Sequence, residues 1–498
     1  MEAFHQLLQY YRELSHLKSV YGLLIWDQNT KMPIQQTKDR GEQIGVLYEL
    51  LHQKMTSKEL CTLLDRSSQE IVDLPKESYE VRLVKRAVRD YERANQVPAP
   101  FMAEIAQHAT ETYQAWLEAK SLNNFNKVKG HLERMIDYSR EYTEFFQDRE
   151  HVLDPLIDLA ESGLKVSYVQ KIFQDLRAKL VPLVRRITSQ EVAPYPTLPS
   201  VPKEDQLRYT EWLVQKFGFS FEKGRQDLSP HPFMIRLGAD DIRITTRVEE
   251  ADFTESIFSS IHETGHALYE LGLSREYIGT PFDEMSTSVH ESQSRLYENI
   301  VGRSRAFWSY AYPELQRQLP QTKGLEMEDF YRIMNRVEPS LIRTKADEVT
   351  YNLHIMIRFE TEMELLTGKL KVDDLPDYWN AAYQSTMGVQ ATSLAEGVLQ
   401  DSHWFSGMVG GCFQGYALGN LISCQILEKI ERSYPKLWED VADGTLVPLR
   451  SWLQENIHRH GSYYDTPELL EKVTGKELSV DPFIRYLERK YGDLYPGL

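Results

Sequence analysis

Apolar residues recur at three- and four-residue steps along most of this chain, and that period commits it to packed α-helices. It predicts helices over 3–23, 40–54, 101–120, 128–146 and 166–188, with helices resuming towards the C-terminus. Strand-like alternation is nearly absent. Its best instance is Asp241-Ile242-Arg243-Ile244-Thr245-Thr246, where β-branched residues alternate. One short β element in a helical protein is expected either at an active-site edge or in a plain hairpin. No internal repeat of fixed period is present. The segment 194–202 reads Pro-Tyr-Pro-Thr-Leu-Pro-Ser-Val-Pro, and four prolines in nine residues cannot lie inside a helix. It is read as a linker between a helical lobe of about 1–193 and a chemistry-bearing part of about 203–498.

Composition narrows the function mainly by exclusion. The chain has 498 residues, 41% hydrophobic and 26% charged, which is ordinary for a globular protein. Its formal charge of −17 argues against nucleic acid as a partner, which requires basic stripes. The basic run from Arg82 to Arg93 is interrupted by acids and reads as a solvated helix face. Cys61, Cys412 and Cys424 form no CxxC pair and are odd in number, so neither a disulfide framework nor a thiolate metal site is expected. The N-terminus lacks the basic-then-apolar pattern of a signal peptide, and no apolar run approaches the ~20 residues of a membrane span. The expected setting is the cytoplasm.

The chemistry centres on His262-Glu263-Thr264-Gly265-His266. On a helix, residues i and i+4 share a face, so both imidazoles can reach one metal ion. Asp252 or Thr254 is a candidate N-cap, Ile257, Ile261, Leu268 and Leu271 form an apolar stripe, and Gly272 suits the C-terminal stop. Glu263 then points at metal-held water without ligating, the position of a general base. A catalytic zinc site needs a third protein ligand. Glu291, 25 positions after His266 (291 − 266), stands on the next expected helix. His290 is its rival, and because adjacent helical residues diverge by about 100°, only one of them is expected to face the metal. For Glu291 the plainer alternative is an ion pair with Arg295 at i+4.

Here the residues resemble a known family, the thermostable carboxypeptidases of the carboxypeptidase Taq type, which are zinc metallopeptidases. The motifs stand in order: His231-Pro232-Phe233, Asp241 to Thr245, the His262 to His266 helix, His290-Glu291-Ser292-Gln293, Ile342-Arg343-Thr344-Lys345-Ala346-Asp347, and Gly397 to Trp404. Trp26-Asp27 through Met32-Pro33, and Asn456 through Gly461, extend the resemblance over essentially the whole chain. It implies a mainly α, two-lobed metallopeptidase with a deep substrate groove and a small β-sheet near the zinc site, residues 1–498 forming a single peptidase domain. It implies a cytoplasmic homodimer that releases single C-terminal amino acids from peptides with broad specificity. It carries zinc ligation, one ion per chain, onto His262, His266 and Glu291, and the general base onto Glu263. Co²⁺ or Mn²⁺ suits such ligands too.

Other motif residues have physical readings of their own. A carboxypeptidase must hold a free α-carboxylate, and arginine does so with paired, charge-assisted hydrogen bonds. Arg343 and then Arg243 are the candidates, each with an ion pair as the alternative, to Asp347 and Asp241 respectively. His231, beside Pro232, is placed to block one groove end. His403 is a candidate donor to the oxyanion or the substrate backbone, or else a structural histidine beside Trp404. Asp347 and Asp401 are candidate orienters of histidines. One stretch departs from the family, which usually has Gly-Tyr-Phe-Pro-(Ser/Thr)-Tyr before Ala-Leu-Gly. Here Gly410-Gly411-Cys412-Phe413-Gln414-Gly415-Tyr416 lacks the first tyrosine and the proline, leaving Tyr416 as the tyrosine candidate for oxyanion stabilisation. That departure keeps two alternatives open beside the carboxypeptidase: an oligopeptidase or endopeptidase with a similar groove, and a catalytically impaired peptide-binding homologue.

Overall fold

The computed structural model describes residues 1–498 and is built almost wholly from helices. The 166–188 helix runs as its periodicity predicts, and those expected at 3–23, 40–54, 101–120 and 128–146 extend over Glu2–Thr30, Thr37–Met55, Ala99–Ser121 and Asn126–Glu144. The central strand, β3 (Asp241–Thr246), matches its expected span. Two further strands flank it: β1 (Gly224–Leu228), parallel to β3, and β2 (Met234–Gly238), antiparallel to it. Neither alternates clearly in sequence, since Arg225, Gln226 and Asp227 interrupt β1, and β2 carries a bulge between Arg236 and Gly238.

The sheet is a spacer between two helices. Ile242 and Ile244 point to one face and pack with Val214, Phe219 and Ala267, the last on the Thr254–Leu271 helix. Arg243, on the opposite face by the two-residue period of a strand, lies over the Trp26 ring at 4.3 Å, so that face meets the Glu2–Thr30 helix. Gly22 permits the approach, because a Cβ there would sit 3.1 Å from Ile235 Cδ1.

Besides the small cluster at the sheet, the buried apolar side chains form an N-terminal core, from Phe4 to Ala87 with Phe282 inserted from afar, and a large one from Val97 to Tyr495. The separation between cores therefore lies upstream of the proline segment at 194–202, which instead lies against the large core with Val201 buried. Proline marks the end of helices, but apolar burial decides which helices share a core.

Three helices cross where the candidate residues lie. Thr254–Leu271 starts after Phe253 rather than on Asp252 or Thr254; Asp252 instead accepts a hydrogen bond from the Thr254 amide at 3.1 Å, and Gly272 is the C-cap as expected. Thr287–Arg295 is capped by Ser286 and continues as a π-helical turn, Leu296–Val301. Phe413–Ser433 packs on its other side. A Cβ on Gly265 would lie 2.6 Å from Ser294 Cα, and one on Gly419 would lie 2.7 Å from Glu291 Cγ. The short Glu291 helix is thus gripped between two glycines on neighbouring helices. Gly265→Ala is expected to cost about 1–3 kcal/mol by overpacking. Gly41→Ala, in a helix with open space around it, is expected to stabilise by about 0.5–1 kcal/mol. Chemical denaturation of the two variants checks this; equal behaviour would contradict the grip.

Candidate active site

The crossing brings His262, His266 and Glu291 to one point. Glu291 Oε2 lies 3.6 Å from His262 Nε2 and 3.4 Å from His266 Nε2, and the three potential ligand atoms lie within 4.8 Å of one another. Ligands about 2.0–2.2 Å from a tetrahedral zinc would be separated by about 3.3–3.5 Å, so the spacing of the Glu291 oxygen from the two imidazole nitrogens suits such an ion. His290 points elsewhere: its Nδ1 meets His266 Nδ1 on the side away from Glu291.

A ring of charges holds the three residues. Burial alone would raise the Glu291 carboxyl, but Arg295 and the two imidazoles overcome it and hold it well below the usual range. Arg295 Nε donates to Glu291 Oε1 at 2.7 Å, which is the i+4 pair named as an alternative, yet Oε2 remains turned to the imidazoles. One Glu291 oxygen therefore makes the ion pair while the other stays free to face the two imidazoles. The π-helical turn brings in Glu298, whose Oε2 accepts from His262 Nδ1 at 2.8 Å and from Arg295 at 3.1 Å; Arg303 pairs with its other oxygen. Burial opposes the Glu298 charge, and Arg295 and His262 bring its carboxyl down to about 2. Burial and the neighbouring His290 lower His266 to about 3, so it is neutral, the form that ligates metals. Glu263 is buried beside them, and burial pushes its carboxyl up to about 7, which suits a group that must take and return a proton near neutrality.

A second buried charge cluster adjoins the first through Tyr351. Arg295 stacks on its ring at 4.5 Å, and its hydroxyl accepts from Arg343 Nη1 at 3.2 Å. Arg343 does not pair with Asp347, which instead accepts hydrogen bonds from Val349 and Thr350 at a helix start. It grips Asp401 with Nε at 3.0 Å and Nη2 at 2.8 Å. Arg358, fully buried, donates to the same carboxylate at 2.7 Å, so two guanidinium groups share one acid. The fork expected to hold a substrate carboxylate is occupied by Asp401 in this structure. Arg243 likewise pairs with Asp241, at 2.9 Å through both nitrogens, the alternative its spacing allowed.

Tyr416 and His403 border this cluster. Arg343 lies 5.5 Å from the centre of the Tyr416 ring, and the Tyr416 and His403 ring centres are 6.4 Å apart. His403 Nδ1 is 3.7 Å from Asp401, beyond hydrogen-bond reach, and burial with Arg343 nearby lowers its imidazole to about 4. His231, on an exposed loop where Ser229 binds its carbonyl, is close enough to His403 to depress it further. The segment Gly410–Gly411 takes positive φ values of 107° and 85°, and a Cβ on Gly411 would strike the Leu156 carbonyl at 2.3 Å, so glycine is required there.

Sequence reasoning missed Glu298 and Arg358. Glu298 was findable, since Glu291, Arg295 and Glu298 recur at helical spacing; Arg358 sits in an apolar run that reads as plain core.

Comparison with known proteins agrees over the full length. The family described as Carboxypeptidase Taq (M32) metallopeptidase matches residues 6–491. Carboxypeptidase 1 of Bacillus subtilis is 35% identical over 97% of both chains, and thermostable carboxypeptidase 1 of Thermus thermophilus is 37% identical over 99% of both. The crystal structure of an M32 carboxypeptidase from Deinococcus radiodurans superposes with a TM-score of 0.96 at 41% identity, each chain covered completely. Glu298→Gln is expected to weaken metal binding about 10–100-fold by releasing His262. Chelator competition measures it, and unchanged affinity would remove Glu298 from the site.

Proposed function

The chain belongs to the carboxypeptidase Taq (M32) metallopeptidases and is a metallocarboxypeptidase, and we propose that it removes single C-terminal residues from peptides using zinc held by His262, His266 and Glu291. The observation that carries this reading is the Glu291 carboxylate oxygen at 3.4 and 3.6 Å from the two imidazole nitrogens. A divalent ion at such a site supplies acidified water and polarisation of the scissile carbonyl. Zinc suits two imidazoles and one carboxylate, and Co²⁺ or Mn²⁺ can substitute.

The chain's own residues do the rest. Glu263 takes the proton of the attacking water and returns it to the leaving amine. Tyr416, whose hydroxyl is the tyrosine donor left by the departure at 410–416, stabilises the oxyanion, and His403 bonds the substrate backbone. Asp401 is the carboxylate paired with both Arg343 and Arg358, and burial raises the neighbouring Glu362 carboxyl to about 8, so near neutrality the cluster keeps one surplus positive charge beside Tyr416, and that surplus attracts the free α-carboxylate of a peptide. Arg343 thus serves the substrate through charge, with Asp401 fixing its position. Arg243, stacked on Trp26, is a secondary candidate, and the His231 loop closes one end of the groove. The proposal extends to a homodimer acting on peptides in the cytoplasm, with no nucleic-acid or membrane partner; no helix is long and apolar enough to cross a membrane.

Incubation with zinc and mixed peptides is expected to give a ladder losing one residue at a time from the C-terminus, read by mass spectrometry. C-terminally amidated versions are expected to stay intact; their cleavage would favour an endopeptidase, and no cleavage of any peptide by the zinc-loaded protein would favour an impaired homologue. Glu263→Gln is expected to keep the metal and lower kcat about 10²–10⁴-fold. Tyr416→Phe is expected to lower kcat by up to about 10²–10³-fold with KM little changed. Wild-type rates in either variant would dismiss that residue's role.

A further inference from the structure

His266 and His290 face each other where the Thr254–Leu271 and Thr287–Arg295 helices cross, with their Nδ1 atoms 2.5 Å apart and their ring centres at 4.5 Å. Two ring nitrogens attract at that distance only if one bears the hydrogen and the other is bare. The neighbours decide which. His290 Nε2 lies 3.1 Å from Glu270 Oε1, and the other Glu270 oxygen lies 3.1 Å from Arg236 Nε. Arg236, on β2, also pairs with Asp283 at 3.3 Å. A carboxylate held by a guanidinium accepts hydrogen bonds, so a neutral His290 presents Nε2–H to Glu270 and keeps Nδ1 bare. His266 must then donate Nδ1–H to His290. Its Nε2 lone pair is left facing Glu291, 3.4 Å away.

We propose that His290 is a positioning residue which, through Glu270 and Arg236, locks His266 in the tautomer able to ligate a divalent metal. The inference rests on His262, His266 and Glu291 being the ligands. His262 reaches the same condition by a shorter route, since Glu298 accepts directly from its Nδ1 at 2.8 Å. The two histidines therefore have unequal supports, one carboxylate against a relay of imidazole, carboxylate and guanidinium. The relay also gives β2 a part in metal binding, although no residue of that strand belongs to the donor set. It accounts for a histidine preceding Glu291 that turns away from Glu291's own target.

The test compares zinc affinity, by chelator competition, in the parent protein and in His290→Gln, His290→Leu, Glu270→Gln and Glu291→Ala, with far-UV circular dichroism checking the fold of each. Glutamine at 290 can accept from His266 and donate to Glu270, so His290→Gln is expected to stay near the parent. His290→Leu fills similar space without either bond and is expected to bind zinc about 10–100-fold more weakly. In Glu270→Gln the amide oxygen turns to Arg236 and the amide N–H to His290, which reverses the relay and predicts a comparable loss. If His290→Leu and His290→Gln bind zinc equally well, or leucine binds it better, the residue merely packs and the proposal is overturned. Glu291→Ala separates the premises: if it keeps parental affinity, the ligand assignment itself falls. If it loses zinc while His290→Leu and Glu270→Gln do not, only the relay falls. ¹⁵N shifts of His266 in the metal-free protein give a second reading, with hydrogen on Nδ1 expected and hydrogen on Nε2 contradicting it.

Discussion

Glu291 carries a full negative charge into a buried crossing of helices, a place that ordinarily neutralises a carboxyl by raising its pKa. It stays ionised because Arg295, one turn along the same helix, meets one oxygen, and because two imidazoles face the other. That arrangement imposes demands on everything around it. The helix carrying Glu291 must come close to both neighbours, so Gly265 and Gly419 stand where they touch it. Arg295 must be fixed, so Glu298 and the Tyr351 ring hold it. The charges gathered around Glu291 must be paired, since breaking one partner of such a network leaves another charge stranded.

The two clusters meet at Tyr351 and divide the chemistry between them. In the first, Arg295 and Arg303 offset the charges of Glu291 and Glu298, and the proposed reading gives the free Glu291 oxygen and the two imidazoles to a cation and Glu263 to the proton. The proposed reading gives the second, Arg343 and Arg358 around Asp401, to the anionic end of a peptide. On the proposed reading, a peptide whose carboxylate is drawn to this positive cluster while its last amide bond lies at the metal site is cut near its carboxylate end. Asp401 has a clear purpose in this arrangement. It keeps two guanidinium groups close together where their mutual repulsion would otherwise separate them.

Much of this was legible in the sequence. Helices with one apolar stripe announce themselves, as 166–188 does, because their burial follows a single period. The His262 and His266 pair is readable because helix geometry alone places residues four apart on one face. β1 and β2 were not legible: each is five residues long, and their polar or irregular sequences pair only because β3 offers a partner. The core boundary was also hidden, since the proline segment punctuates the chain conspicuously while the change of core at residues 87–97 occurs between ordinary helices. Arg343 shows the limit most clearly. Sequence marks it as an arginine with a purpose, but only the fold reveals that Asp401, 58 positions away (401 − 343), already fills its fork.

The most direct test of the account is anomalous diffraction at the zinc edge from crystals of the protein equilibrated with zinc. The account predicts one strong peak per chain within about 2.0–2.2 Å of His262 Nε2, His266 Nε2 and a Glu291 oxygen. A peak bonded to His290 in place of Glu291, or no peak at this crossing in protein that hydrolyses peptides, would contradict it.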